Sequence, residues 1–367
     1  MKKKTVLFML MLCLTAAATF IGVKGYTEES GQQEIAYSVQ KISPEGEVDS
    51  SSPFYDLAVK PGDTRTIEAR IINTSSETIS VKSELFAAYT NDNGEISYTS
   101  QAEEYDRSLK YKFNELAEIQ ASDIKTEIPA NGEKIIKAMI EVPETAEDGV
   151  ILGSWYFEKE GQEQEQEEGS GIQINNKYSY ALAVKLTVNQ EIAEPNLNLT
   201  GITKGLNNYK KAYFAQLQND RPAILSELTV EAQVFKKGSY EVLYENTSEG
   251  LIMAPNSQFA FPVFLGQEAM KAGDYTMKLK VLTEDSKWDT QTWEWTEDFT
   301  VTADEARKHN EEAINDPEAE ADNLWLLILG GAVLFILVLL LIYILMKRKM
   351  LRQEQKKRKK KSKKRKK

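Results

Sequence analysis

The sequence predicts an all-β protein: two tandem Ig-like β-sandwich domains, followed by a short stalk helix and one transmembrane helix. Three observations carry that expectation. Apolar and polar residues alternate with period two through most of residues 26–303, turn signals separate the alternating runs, and Leu324–Met346 holds no charged side chain. Residues 26–303 are long enough for two domains of ordinary size.

At the N-terminus, Lys2, Lys3 and Lys4 precede an apolar run from Val6 to about Ala18. A basic start, a short apolar stretch and small residues at Val23-Lys24-Gly25 read as a cleaved signal peptide over 1–25, leaving Tyr26 first in the mature chain. Cys13, the sole cysteine, lies inside that segment. Lipid attachment there asks for a small residue just before it, and Leu12 is not small. The mature chain therefore has no disulfide, no thiolate chemistry and no cysteine zinc site.

The first domain is expected over 36–188. Ile67, Ala69 and Ile71 share one strand face, as do Ile136, Ala138, Ile140 and Val142. Turn sequences stand between such runs: Lys60-Pro61-Gly62-Asp63, Asn73-Thr74-Ser75-Ser76, Asn91-Asp92-Asn93-Gly94 and Pro129-Ala130-Asn131-Gly132. Short strands at this spacing fit a β-sandwich, although the Cys–Trp–Cys core of immunoglobulins is missing. An acidic loop over 158–171 interrupts two strong strands, 150–157 and 177–188, which then form a hairpin. The second domain is expected over 189–303, with strands at 225–234, 258–265, 275–282 and 293–301. Thr302-Ala303-Asp304-Glu305 opens a helix with a capping box that runs to about Asn315, inside a stalk of 304–323.

Leu324–Met346 would span about 34 Å as a helix, matching a hydrocarbon core of about 30 Å. Trp325 and Tyr343 flank it at headgroup level. The tail 347–367 carries fifteen Lys or Arg and one Glu. Positive charge on that side predicts a single-pass type I membrane protein, with its domains outside the cell and the tail in the cytoplasm against anionic lipids. No Leu-Pro-x-Thr-Gly precedes the span, so the anchor is expected to stay. The formal net charge is −11. With +14 in the tail and +4 from the lysines before Tyr26, the exported part carries −29. That argues against nucleic acid as a ligand.

No catalytic constellation stands out, and neither a cofactor nor a metal site is expected. His309, the sole histidine, sits on the predicted stalk helix and reads as exposed and inert. That removes histidine-based nucleophile activation. An EF-hand register that sets Gly94 sixth needs carboxylates where Tyr89 and Ser100 stand, so Asn91–Gly94 reads as a hairpin turn. Paired carboxylates leave one enzymatic alternative open, a cell-wall hydrolase. Trp293 and Trp295 share one strand face and are either both core, the better reading, or both exposed as a binding patch for sugar rings or a protein.

Several strings, in order, carry a family resemblance. Tyr55-Asp56-Leu57-Ala58-Val59-Lys60-Pro61-Gly62, Ile72-Asn73-Thr74-Ser75 and Thr90-Asn91-Asp92-Asn93-Gly94-Glu95-Ile96 come first. Ile128-Pro129-Ala130-Asn131-Gly132-Glu133-Lys134 and Asp148-Gly149-Val150-Ile151-Leu152-Gly153 follow. Glu194-Pro195-Asn196-Leu197-Asn198-Leu199, Leu217-Gln218-Asn219, Val234-Phe235-Lys236-Lys237-Gly238-Ser239 and Met253-Ala254-Pro255-Asn256-Ser257 complete the set. The chain resembles the WxL-interacting proteins of low-GC Gram-positive bacteria from about Ala36 onward. The resemblance implies a cell-surface adaptor whose first domain binds peptidoglycan and whose second meets host ligands in adhesion. Secreted wall proteins with a Trp-x-Leu motif are the implied partners. Trp325-Leu326-Leu327 lies inside the predicted span, so this chain is the binder and not the WxL protein. The family's domain division is expected nearer the acidic loop than Asn189.

Overall fold

The computed structural model describes residues 37–160, 178–314 and Tyr343. The expected signal peptide, most of the acidic loop, the span at 324–346 and the basic tail lie outside the described residues, Tyr343 excepted. Among the described residues no helix is long and apolar enough to cross a membrane.

In the first sandwich, one sheet has β1 (Tyr37–Ile42), β3 (Thr64–Asn73), β9 (Glu133–Glu141) and β7 (Ala117–Ile119), in the order β1-β3-β9-β7. The other has β2 (Tyr55–Val59), β11 (Ser179–Val188), β10 (Gly149–Lys159), β4 (Ile79–Ala87) and β8 (Lys125–Ile128), in the order β2-β11-β10-β4-β8. The alternating residues face inward as expected: Ile67, Ala69, Ile71, Ile136 and Ile140 are fully enclosed. β10 and β11 pair antiparallel across the acidic segment, from Gly149↔Val188 to Glu158↔Ser179. β2 adds in parallel to the far edge of β11, a pairing that alternation alone does not encode. Between β4 and β8 the chain makes a small hairpin of β5 (Tyr89–Thr90) and β6 (Ile96–Ser97), then one helical turn, α1 (Phe113–Leu116). Phe113 is fully buried and presses on Gly153 of β10, where a Cβ would lie 2.3 Å from its own Cβ.

The second sandwich repeats this plan. β12 (Asn198–Asn207), β13 (Lys210–Asn219) and β16 (Ser257–Phe264) pair as β1, β3 and β9 do. β15 (Val242–Met253), β14 (Leu225–Lys236), β17 (Gly273–Thr283) and β18 (Gln291–Val301) mirror β8, β4, β10 and β11. Its core centres on Tyr213, with ring centroids 5.6 Å from Tyr275 and 5.0 Å from Phe299.

One asparagine plays the same part in each domain. Asn73, buried at the end of β3, donates from Nδ2 to the carbonyls of Glu77 (2.7 Å), Ile128 (3.1 Å) and Pro129 (2.9 Å). Its Oδ1 accepts from the Ser75 N–H at 2.9 Å. At the end of β13, Asn219 donates to Ala223 (2.7 Å) and Ala254 (2.9 Å) and accepts from the Arg221 N–H at 3.1 Å. Asn131 and Asn256 complete the two motifs in the left-handed region, at φ 52° and 50°. The sandwiches differ in two places: the second has no counterpart of β2, and residues 88–124 are an insertion present only in the first.

The final helix, α2 (Ala303–Glu312), starts on the expected capping box. Glu305 N–H donates to Thr302 Oγ1 at 3.2 Å and Thr302 N–H to Glu305 Oε2 at 2.8 Å. It packs on the second sandwich. Lys204 pairs with Glu305 at 3.0 Å, while Asn310 grips both the N–H and the carbonyl of Met270 at 2.8 and 2.9 Å. That docking corrects one expectation: His309 is half-buried, with Nδ1 enclosed and no hydrogen-bond partner.

Two outcomes follow from this geometry. Gly153→Ala should cost about 3 kcal/mol in denaturant unfolding, because Phe113 is walled in and has nowhere to retreat; an unchanged midpoint would show that Phe113 moves freely. The Glu305 carboxyl is held down to about 2, from 4.5, by the Thr302 N–H and then by Lys204. A lowered folded-state value stabilises the native helix above pH 4.5 and gives that stabilisation up as pH falls towards 2. Thermal melts across that window should fall more steeply for the parent than for Glu305→Gln.

Candidate functional site

The insertion of residues 88–124 reaches across to the second sandwich and clasps it. Thr90 and Ser257 Oγ atoms lie 2.5 Å apart, Ser257 donates to the Ala254 carbonyl at 2.7 Å, and the Ala254 N–H returns to Thr90 Oγ1 at 3.0 Å. These groups form a closed, buried ring of hydrogen bonds between the domains. The hairpin tip adds a backbone bond, with Ile252 N–H donating to the Gly94 carbonyl at 2.9 Å. Gly94 has φ +73°, and a Cβ there would lie 3.0 Å from Leu251, so both backbone shape and space call for glycine. Nearby, Val150 N–H donates to the Pro222 carbonyl at 2.7 Å. A Cβ on Gly149 would meet that same carbonyl oxygen at 2.6 Å. Apolar contact accompanies these bonds, as Ala88, Val150 and Leu152 form a small core with Ile96, Tyr98 and Ile224.

Between the clasp and the second sandwich lies a cleft of about 550 Å³. Its first-domain wall is Tyr89–Asp92 and Gln101–Asp106; the other wall is Gln216 and Asn256–Ala260. Asp106 forms the floor. It is nine-tenths buried and accepts from the Ser108 N–H and hydroxyl at 2.8 and 2.6 Å. Gln218 Nε2 donates to both its oxygens from across the domain boundary, at 3.1 and 2.9 Å. Tyr89 and Tyr105 meet edge to face, with centroids 6.4 Å apart. Asp92, Glu103 and Glu104 are exposed, and no ion pair or hydrogen bond engages their carboxylates among the described residues.

Sequence reasoning did not find this cleft. Its residues are isolated polar side chains on an irregular stretch, without a periodic or motif-like signal. The clearest trace was Asn91–Gly94, read as a hairpin turn. The structure bears that turn out: Asn91 Oδ1 accepts from the N–H groups of Asn93 and Glu95 at 2.9 and 3.1 Å. Trp293 and Trp295 lie elsewhere, on the inward face of β18 opposite Val281 and Leu279. Both are half-buried against the second core together with Trp288. Neither alternative, wholly core or wholly exposed, describes them: they stand on β18, the last strand of its sheet. Among the described residues no cluster of His, Cys, Asp and Glu could hold a metal ion.

Two family models match the chain. The peptidoglycan binding domain of the WxL Interacting Protein matches residues 37–159, and its host binding domain matches residues 169–311. This chain belongs to the WxL-interacting protein family. Both matched domains are binding domains of a cell-surface protein. The second match begins at 169, near the acidic loop, whereas the sheet pairing puts β11 in the first sandwich; the family model and the strand pairing divide the chain differently by about twenty residues.

No curated protein matches. Solved structures similar to the chain include the class 5 fimbriae chaperone CfaA, at 14% identity over 71% of this chain and 98% of that one, with a TM-score of 0.29. The E. coli chaperone DraB has 11% identity over 72% and 97%, with a TM-score of 0.26. The Pseudomonas aeruginosa chaperone CupB2 has 12% identity over 63% and 91%, with a TM-score of 0.25.

The clasp of this WxL-interacting protein makes a direct prediction. Thr90→Val keeps the side-chain volume but opens the interdomain ring, leaving buried polar groups unpaired. We expect a loss of about 2 kcal/mol, and calorimetry should show one unfolding transition becoming two. A single, unshifted transition would mean the domains are coupled elsewhere.

Proposed function

We propose that the protein is a non-enzymatic surface adaptor that binds WxL proteins and peptidoglycan and holds them near the membrane, with host ligands as further partners of its second domain. The observation that carries this reading is the joint match of two binding domains along one chain, held together by the Thr90–Ser257 and Asp106–Gln218 contacts. Two such domains fixed side by side present two ligands at a set separation, which is what an adaptor needs. The uncharged stretch 324–346 and the basic tail support membrane tethering, with the tail against anionic lipids. The sole cysteine, Cys13, falls in the expected signal peptide and the sole histidine sits on a docked helix, which favours a binding role.

The test is co-purification. The full chain, tagged and extracted in mild detergent, is incubated with a purified Trp-x-Leu wall protein and, separately, with washed peptidoglycan sacculi. Retention of both, surviving moderate salt, is the expected result. A chain that holds sacculi but never the Trp-x-Leu protein would reduce the adaptor to a wall tether. Release of soluble fragments from the sacculi would instead support the carboxylate hydrolase.

A further inference from the structure

We infer that the cleft between the two domains is a glycan-binding site selective for oligosaccharides without negative charge, best of all an amino sugar bearing free ammonium groups. The inference deepens the wall-binding reading above and rests on it only for the source of such a glycan.

Size and chemistry point the same way. A volume of about 550 Å³ falls within the range of ligand clefts, roughly 300–1,000 Å³, and has room for a few sugar rings. Planar amides line both sides: Asn91 and Gln101 from the first domain, Gln216, Asn256 and Gln258 from the second. Gln216 and Asn256 already donate to Thr203 and the Asp220 carbonyl, and Asn91 caps its own turn. That leaves Gln101 and Gln258 with both donor and acceptor open among the described residues. An amide offers donors and acceptors together, as neighbouring sugar hydroxyls require. Tyr89 and Tyr105 supply apolar ring surface for the C–H face of a pyranose. The floor is set in place before any ligand arrives, because Asp106 is saturated by Ser108 and Gln218.

Charge then selects the class of glycan. No Lys or Arg lines the cleft, while Asp92, Glu103, Glu104 and Asp106 do. Elsewhere the chain pairs many of its carboxylates with lysine, as in Glu47 with Lys41, Glu147 with Lys110 and Glu160 with Lys125. A phosphate or uronate would meet three open carboxylates and no cation among the lining residues, the nearby Lys112 being held over Tyr105 and paired with Glu115. An ammonium group would find counter-ions in the exposed carboxylates of Asp92, Glu103 and Glu104, whereas the Tyr105 ring already carries the Lys112 ammonium 5.6 Å from its centroid.

The experiment titrates the full chain in detergent with three probes: chitotetraose, its fully de-N-acetylated form and a hyaluronan tetrasaccharide. The expected order is the ammonium form first, the acetylated form weaker, and no measurable binding of hyaluronan. Tyr105→Ala should weaken both chitin-derived probes about tenfold. The pair Glu103→Lys and Glu104→Lys, both at exposed positions, should erase the preference for the ammonium form while leaving the melting temperature unchanged. No binding of any probe, equal binding of hyaluronan, or indifference to all three substitutions would each overturn the inference. Sacculus retention separates the two readings. Variants that lose the probes yet hold sacculi as well as the parent would locate wall binding outside the cleft. A parent that binds the probes but not sacculi would remove the wall-binding reading and leave the glycan site standing.

Discussion

A β-sandwich must return its chain between two sheets without leaving buried carbonyls unpaired, and this protein meets that constraint with one side-chain amide per domain. Asn73 and Asn219 are fully enclosed, so each unpaired carbonyl they serve would cost on the order of 1–3 kcal/mol. An aspartate could not donate and a leucine could neither donate nor accept. The same amide accepts the N–H two residues on and so fixes the turn that sends the next strand into the opposite sheet. The two crossings, β3 to β4 and β13 to β14, are therefore superimposable pieces of chemistry. The repeated strand order of the two sandwiches follows from them.

Duplicating a stable unit gives two beads; making one body from them takes something further. Here the difference between the repeats supplies it. The second sandwich joins β14 to β15 through a short turn, while the first spends residues 88–124 on the equivalent connection. That insertion carries Thr90, Gly94, Ile96, Tyr98 and Asp106, all of which touch the second domain or the small core beside it. The bonds are few, but those of Thr90 and Asp106 are buried and mutually satisfied, where hydrogen bonds are strongest and hardest to exchange for water. The end of the insertion joins the first sheet as β7, and the space left between its earlier part and the second sandwich is the cleft.

How much of this was legible beforehand follows from the range of each signal. Period-two alternation is local, so strands such as Ile67–Ile71 and the β10–β11 hairpin could be read from the sequence despite the acidic segment between them. The capping box at Thr302–Glu305 is equally local. The insertion's role was not legible, because Thr90, Asp106 and Gln218 are single polar residues whose partners lie 112 to 167 positions away. His309 and the tryptophan pair failed for a related reason: burial on a docked helix or an edge strand depends on what packs alongside, which periodicity does not report. The parallel addition of β2 to β11 belongs with them. Its alternation marks a strand, yet nothing in it selects an edge.

The charge distribution joins the fold to its use. Residues 26–346 carry −29 and repel themselves, and ion pairs such as Lys41–Glu47 and Lys204–Glu305 offset that locally. Where pairing is cheap, on flat sheet faces, lysines stand beside carboxylates. In the cleft pairing would be just as easy, since a single lysine at the position of Gln101 or Gln258 would supply it. Leaving Asp92, Glu103 and Glu104 open there costs a little repulsion in the free protein. The return comes when a ligand brings the missing positive charge or, at the least, brings none that is negative. A surface that only needed to stay soluble would have no reason to concentrate unpaired carboxylates in a concavity walled by both domains.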